Sequence, residues 1–259
     1  LAGRLDGKIA VVTGAGGGLG RETSVRFAHE GARVVCQDLD EGAAKATADA
    51  IASAGGPDTM VWSCDVSDSA AIDAMFAAAS DRLGVVDVLV SNAGVDRTPG
   101  DAFEDGGVQL ALMSDAGWQR MLDIHLNGAF YCSRAMVRGL VEAKRGGSII
   151  CMSSVAGTSG WGPVHYATAK AGLLGFVRSI ARMLGGLGIR ANAICPGVID
   201  TAMTRNIPSE MIDGLRLLTP LGRVGEPADI AAAAVYLAGD ESAFVTGQAI
   251  SPNGGLVIA

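Results

Sequence analysis

Tyr166 and Lys170 stand four residues apart in the stretch "VHYATAK" (164–170). On a helix, residues at i and i+4 lie one above the other on one face, so the ammonium would sit close to the phenol. A free phenol titrates near pH ~10 and is a poor base at neutral pH. A neighbouring cation favours the phenolate, and with it the removal of a proton from an alcohol. The same pair also occurs as an ordinary solvated helix surface, so the elements around it have to decide.

The runs "KIAVVT" (8–13), "ARVVCQD" (32–38), "TMVWSCD" (59–65), "VVDVLVSNAG" (85–94), "GSIICMSS" (147–154) and "IRANAICPG" (189–197) are short and largely apolar. Helical patterns separate them over residues 21–30, 41–54, 68–83, 115–143 and 165–187. Apolar strands alternating with amphipathic helices describe a parallel sheet covered on both faces. The expected fold class is therefore α/β, a doubly wound Rossmann-like domain that occupies 1–259 as one unit. Two segments break the pattern, 95–114 and 198–227. Both follow the C-terminal ends of predicted strands, where open α/β sheets bind ligands, so substrate loops are expected there.

Composition narrows the partners. The 20 Lys plus Arg against 27 Asp plus Glu give a net charge of -7 with no basic stripe, which disfavours nucleic acid. Gly, Arg and Asp interrupt the apolar stretches well short of the ~20 residues of a membrane span, so no membrane partner is expected. The N-terminal "LAGRLDGK" is charged and lacks the apolar run of a secretory leader. Cys36, Cys64, Cys132, Cys151 and Cys195 are scattered and never in C-x-x-C spacing, which suits buried thiols in a reducing cytoplasm. His29, His125 and His165 are too dispersed for a metal site, and none is expected.

"VVTGAGGGLGRE" joins the first strand to the first helix. Gly14, Gly18 and Gly20 remove Cβ atoms where a tight turn must let a pyrophosphate approach a helix N-terminus, whose amides and dipole favour anions. Asp38 closes the second strand, 18 residues after Gly20. A carboxylate there accepts hydrogen bonds from the adenosine ribose and repels a 2′-phosphate. The following "LDEG" is acidic and Gly17 brings no cation, so NAD is expected over NADP. Asp65 ends the third strand in the same way; it could reach an adenine or cap its loop.

Together the motifs "TGAGGGLG" (13–20), "SNAG" (91–94), "SSVAG" (153–157), "YATAK" (166–170) and "CPGVIDT" (195–201) resemble the short-chain dehydrogenase/reductase family over essentially the whole chain, in its compact NAD-dependent type. The resemblance implies a mostly or fully parallel seven-stranded sheet. It makes Tyr166 the general acid/base, with Lys170 binding the nicotinamide ribose and lowering the tyrosine pKa. Ser154, chosen over Ser153 by alignment with the motif, would hold the substrate oxygen. Cofactor contacts are implied at Gly14, Gly18, Leu19, Gly20, Asp38, Leu39, Asp65 and Val66. Asn92, Ala93, Gly94, Pro196, Gly197, Ile199 and Thr201 would continue the site, the last two near the carboxamide. A homotetramer is implied through the helix that carries Tyr166, whose Leu173, Leu174, Phe176, Val177 and Ile180 exceed one apolar stripe.

One position departs from the family. Where an asparagine of an N-L-x-G motif helps hold a water linked to the lysine, this chain reads "HLNGAF", with His125 in its place and Asn127 two residues later. His125 is either a proton relay or a tolerated packing residue. The expected activity is interconversion of a secondary alcohol and a ketone with NAD. Two alternatives stand beside it: a 3-oxoacyl-thioester reductase, a type that generally favours NADPH, and a non-catalytic dinucleotide sensor or scaffold. Met203, Ile207, Met211 and Leu215 suggest an apolar lid at roughly helical spacing, over an apolar or alicyclic substrate or simply packed on its own domain. Asp101, Glu104 and Asp105 would shape or solvate the pocket rim.

Overall fold

The computed structural model describes residues 3–98, 109–206 and 208–258. The rim acids Asp101, Glu104 and Asp105, and Ile207, therefore lie outside the described residues.

The chain runs β1 (Ile9–Thr13), α1 (Gly18–His29), β2 (Arg33–Asp38), α2 (Glu41–Ser53), β3 (Thr59–Ser63), α3 (Ser69–Arg82) and β4 (Val88–Ser91). The single turn α4 (Gln109–Leu112), then α5 (Asp115–Leu122), a π-helical turn (Asp123–Asn127) and α6 (Gly128–Ala143) lead to β5 (Gly147–Met152). After it come the short α7 (Ala156–Ser159), α8 (Val164–Leu184), β6 (Ile189–Ile194), α9 (Ser209–Leu218), α10 (Pro227–Ala238) and β7 (Ala249–Ile250). Among the described residues the seven strands form one sheet in the order β3-β2-β1-β4-β5-β6-β7, with every pairing parallel. The order reverses between β1 and β4, and a crevice opens there at the C-terminal edge.

Strand periodicity divides the core between the two faces. Val11, Val35, Leu89 and Ile149 pack with Ile72 and Met75 of α3, Met136 and Leu140 of α6, and Leu173 and Val177 of α8. Their neighbours Ala10, Val12, Val34, Val90 and Ile150 pack with Phe27 of α1, Ile51 of α2 and Ile230 and Val235 of α10. Burial on both sides explains why the strands read as continuous apolar runs instead of alternating ones. Phe176 and Ile180 of α8 are only partly buried, so the apolar surface of this helix does extend beyond its core stripe.

Three helices start where a side chain closes the first turn. Asp40 accepts from the Ala43 amide, Asp68 from Ala70 and Ala71, and Ser114 from Gly117. The region expected to be one helix over 115–143 is instead broken by the π turn. The apolar patterns of the sequence do not mark α10 as a helix or β7 as a strand. α10 lies in "GEPADIAAAAVYLA", whose Glu226/Asp229 capping box and Pro227 at the first position mark a start. β7 is only two residues long and extends the sheet through Ala193↔Ala249 and Ile194↔Ile250. No helix among the described residues is long and apolar enough to cross a membrane.

Candidate active site

A cavity of about 520 Å³ opens at the reversal of strand order. Gly14, Gly18 and Leu19 line it from the first turn, Asp38 and Leu39 from the end of β2, and Asp65 and Val66 from the end of β3. Asn92, Ala93 and Gly94 follow β4, Ser154 follows β5, and Tyr166 and Lys170 come from α8. Pro196, Gly197, Ile199 and Thr201 close the wall after β6, and His125 enters from the π turn. The exception among the expected residues is Gly20, which does not line the cavity. A Cβ there would lie 2.0 Å from the Gly14 carbonyl oxygen, so this glycine lets α1 pack against the turn. Gly20→Ala is expected to cost roughly 1–3 kcal/mol of stability by overpacking and to abolish the stabilisation of the fold by added NAD⁺. Thermal melts with and without the dinucleotide check this.

The turn is built to receive an anion. Helix α1 has no side-chain cap and no acid in its first turn, unlike the capped helices around it. Gly17 faces open space, and Gly18 has only the Thr201 methyl opposite, 3.5 Å from where its Cβ would be. Unpaired amides at a helix N-terminus, reached without side-chain obstruction, fit a pyrophosphate. Asp38 is held in place by the Gly16 amide, which donates to its Oδ2 at 2.8 Å, and by the Asp40 amide, 3.1 Å from Oδ1. A carboxylate accepts about four hydrogen bonds, so this one can still take two ribose hydroxyls. Asn92 has a bracing role: its side-chain amide donates to the carbonyl of Thr13 at 2.9 Å, tying β4 to β1.

At the other end the two serines separate. The Ser153 hydroxyl donates to the Lys170 carbonyl at 2.8 Å and is 3% exposed, so it fastens β5 to α8. Ser154 is half-buried and lines the cavity with Tyr166; its hydroxyl accepts from the Ala156 amide. Lys170 is buried, and its Nζ donates to the Met152 carbonyl at 2.6 Å while standing 5.5 Å from the centre of the Tyr166 ring. Burial lowers the Lys170 pKa to about 8. Burial also raises that of Tyr166, opposed by the Ser154 hydroxyl and reinforced by Asp96. The expected depression of the tyrosine by the lysine is therefore not what the chain's own groups produce. The ammonium faces a backbone carbonyl, and desolvation of the phenol dominates.

His125 is 3% exposed in the π turn. The extra residue of a π turn rotates the side chains that follow, a device frequent at functional sites. Here Nε2 stands 2.8 Å from the Val95 carbonyl oxygen and 3.1 Å from the Val95 amide nitrogen. A neutral ring serves one of these at a time, according to its tautomer. The imidazole meets the Tyr166 ring edge-on, with centroids 5.5 Å apart. Gly94 must be glycine for this, since a Cβ there would lie 2.3 Å from the imidazole Cε1. Burial, then the Lys170 charge, hold the His125 pKa well below its ordinary value, so the ring is neutral. Its Nδ1 is buried with no hydrogen-bond partner among the described residues. The ring braces Val95 and Tyr166, and Nδ1 is left to bond.

The suggested lid departs from expectation. Met203 lines the cavity but precedes α9, whereas Met211 and Leu215 lie on α9, which has no buried residue and does not line the cavity. Sequence reasoning also missed Arg120 and Ile124, which enter the cavity from α5 and the π turn. Their i, i+4 spacing on an amphipathic helix was the available signal, but nothing local says which face meets the cavity. Among the described residues no cluster of His, Cys, Asp or Glu could hold a metal, and the five cysteines are free thiols.

Comparison with known proteins gives a consistent outcome. A family model described as enoyl-(acyl carrier protein) reductase matches residues 14–257. The chain is 37% identical over 251 residues to the BbsD subunit of (2S)-((R)-hydroxy(phenyl)methyl)succinyl-CoA dehydrogenase from Thauera aromatica, covering 97% of each chain. It is 38% identical over 252 residues to 3-oxoacyl-(acyl-carrier-protein) reductase of Escherichia coli (strain K12), covering 97% of this chain and 98% of the relative. A reductase of the same name from Thermotoga maritima is 37% identical over 257 residues, covering 98% of this chain and 100% of the relative.

Proposed function

The chain belongs to the short-chain dehydrogenase/reductase family, whose members are nicotinamide-dinucleotide oxidoreductases, and on that premise we propose that it is an NAD-dependent enzyme interconverting a secondary alcohol and a ketone. The observation that carries this reading is the convergence of Ser154, Tyr166 and buried Lys170, its Nζ 5.5 Å from the Tyr166 ring centre, at one end of a cavity whose other end holds the glycine turn and Asp38. Ser154 orients the substrate hydroxyl, and Tyr166 takes its proton as phenolate. When bound, the nicotinamide supplies the hydride acceptor and, oxidised, a positive charge. That charge would lower a phenol pKa that burial raises. Lys170 would hold the nicotinamide ribose, its ammonium aimed by the Met152 carbonyl. Asp38 favours NAD over NADP by accepting from the ribose and repelling a 2′-phosphate.

His125 acts here as a brace that leaves one nitrogen for a proton path. His125→Ala is expected to lower turnover roughly tenfold, the scale of one lost hydrogen bond at the site, with NAD⁺ binding retained. Steady-state rates beside calorimetry measure both quantities. An effect as large as that of removing the Tyr166 hydroxyl would contradict the bracing role.

A second reading concerns the substrate and is favoured by the relatives' names. A 3-oxoacyl thioester and a succinyl-CoA bearing a hydroxymethyl carbon next to its thioester both place the reacting carbon β to a thioester carbonyl. Against a carrier phosphate, each arginine of 198–227 is paired with a nearby acid: Arg205 with Asp200, Arg216 with Asp213 and Arg223 with Asp229. Nicotinamide absorbance measured with free alicyclic and aromatic secondary alcohols beside 3-hydroxyacyl thioesters separates the two. The first reading expects turnover of free alcohols, and activity confined to thioesters would move the assignment to the second. We extend the proposal to a homotetramer, supported by exposed Phe130 and Val141 on α6 and Met183 on α8. Sedimentation at working concentration tests it.

A further inference from the structure

Arg120 reaches from α5 across the cavity wall to the turn after β3. One guanidinium nitrogen donates to Asp65 Oδ2 at 2.8 Å and the other to the Ser67 hydroxyl at 2.7 Å. Ser67 completes the ring of contacts, since its amide and hydroxyl donate to Asp65 Oδ1 at 2.9 and 2.7 Å. Both carboxylate oxygens are thus fixed; Oδ1 is filled by its two bonds from Ser67, and Oδ2 keeps one acceptor site. The planar, two-pronged guanidinium is suited to this; a lysine would reach only one of its two partners. Burial pushes the Asp65 pKa up, but Ser67 and Arg120 outweigh it, and the carboxyl is held below its ordinary range. Asp65, Arg120 and Ile124 share the cavity wall, Ile124 lying one α-turn beyond Arg120 and just before His125. One stretch of helix therefore borders the cavity at both Asp65 and Tyr166.

We propose that Arg120 is a positioning residue that fixes Asp65 as an acceptor for the amino group of the cofactor's adenine, making this end of the cavity selective for a 6-aminopurine. The inference rests on the dinucleotide reading of the cavity. A hypoxanthine base carries a carbonyl where adenine carries its amino group, so it would set an acceptor against an ionised carboxylate. Fixing that carboxylate in one orientation and charge state is what turns the difference into selectivity.

Calorimetric binding to the intact protein tests this with NAD⁺, its hypoxanthine analogue and nicotinamide mononucleotide. The unaltered chain is expected to prefer NAD⁺ over the analogue by roughly tenfold or more. Arg120→Ala and Arg120→Lys are each expected to remove most of that preference while leaving mononucleotide binding unchanged. Arg120→Lys keeps the charge and most of the side-chain volume, so it serves where the alanine variant folds poorly. A preference retained in both variants overturns the proposal, as does an equal loss for all three ligands, which would mean a role in folding alone. Equal binding of the two dinucleotides by the unaltered chain also overturns it while leaving the dinucleotide reading intact. Failure to bind any of the three removes that reading and this inference with it.

Discussion

Tyr166→Phe is expected to lower alcohol oxidation by roughly 10²- to 10⁴-fold, the range that a positioned acid or base contributes. NAD⁺ affinity should remain within a few-fold, because the lost atom is the phenol oxygen and the ring stays packed against His125. The substitution removes one buried polar group and leaves Ser154 bonded to the Ala156 amide, so no new buried donor is stranded. Unfolding temperature should therefore hold or rise. That combination separates chemistry from structure: a packing role for Tyr166 would lower stability and spare turnover. The pH profile adds a second constraint. Oxidation needs Tyr166 deprotonated and Lys170 charged; with the charge of bound NAD⁺ bringing the phenol below Lys170, the rate should rise with pH on the tyrosine limb and fall as Lys170 loses its proton near its pKa of about 8. Tyr166→Phe should erase the rising limb.

Asp38→Asn is the second large effect. The variant keeps the shape and an acceptor for the Gly16 amide, 2.8 Å away, but removes the charge that faces the ribose. Hydrogen bonds to a charged group contribute about 1.5–3 kcal/mol, so NAD⁺ affinity should fall roughly ten- to hundredfold. NADP⁺ affinity should hold or rise as repulsion of its 2′-phosphate disappears. Catalytic efficiencies with both cofactors measure the shift in preference. An unchanged ratio would place the adenosine ribose away from Asp38.

The residues that could be read from the sequence are those whose roles follow from local pattern. A glycine turn between strand and helix, an acid at a strand end, and a Tyr–Lys pair one helical turn apart each announce a backbone requirement or a chemical partner within a few positions. Parallel strands buried on both faces also betray themselves by continuous apolar runs, which is why six of the seven strands could be placed. β7 could not, because two residues carry no periodicity. Other features depend on what lies across the cavity. Ser153 and Ser154 both border the cavity, distinguished by whether the hydroxyl is spent on the backbone of α8, as in Ser153, or accepts from the Ala156 amide, as in Ser154. Gly20 resembles a phosphate-binding glycine but is required by the carbonyl of Gly14 behind it. The pairing of Arg120 with Asp65 joins residues 55 positions apart. The π turn inserts one residue where the apolar pattern of 115–143 reads as unbroken helix. It is that insertion which gives His125, the residue outside the family pattern, a defined place against Val95 and Tyr166.

The most direct test of the central claim is the initial rate of NAD⁺ reduction over a broad panel of secondary alcohols, with NADP⁺ in parallel and Tyr166→Phe as the control. The account predicts that at least one alcohol produces reduced nicotinamide with NAD⁺, that NADP⁺ is the poorer acceptor, and that the variant binds NAD⁺ yet turns over at a small fraction of the rate. NAD⁺ binding by calorimetry without turnover of any alcohol or ketone would contradict it and leave a dinucleotide-binding scaffold.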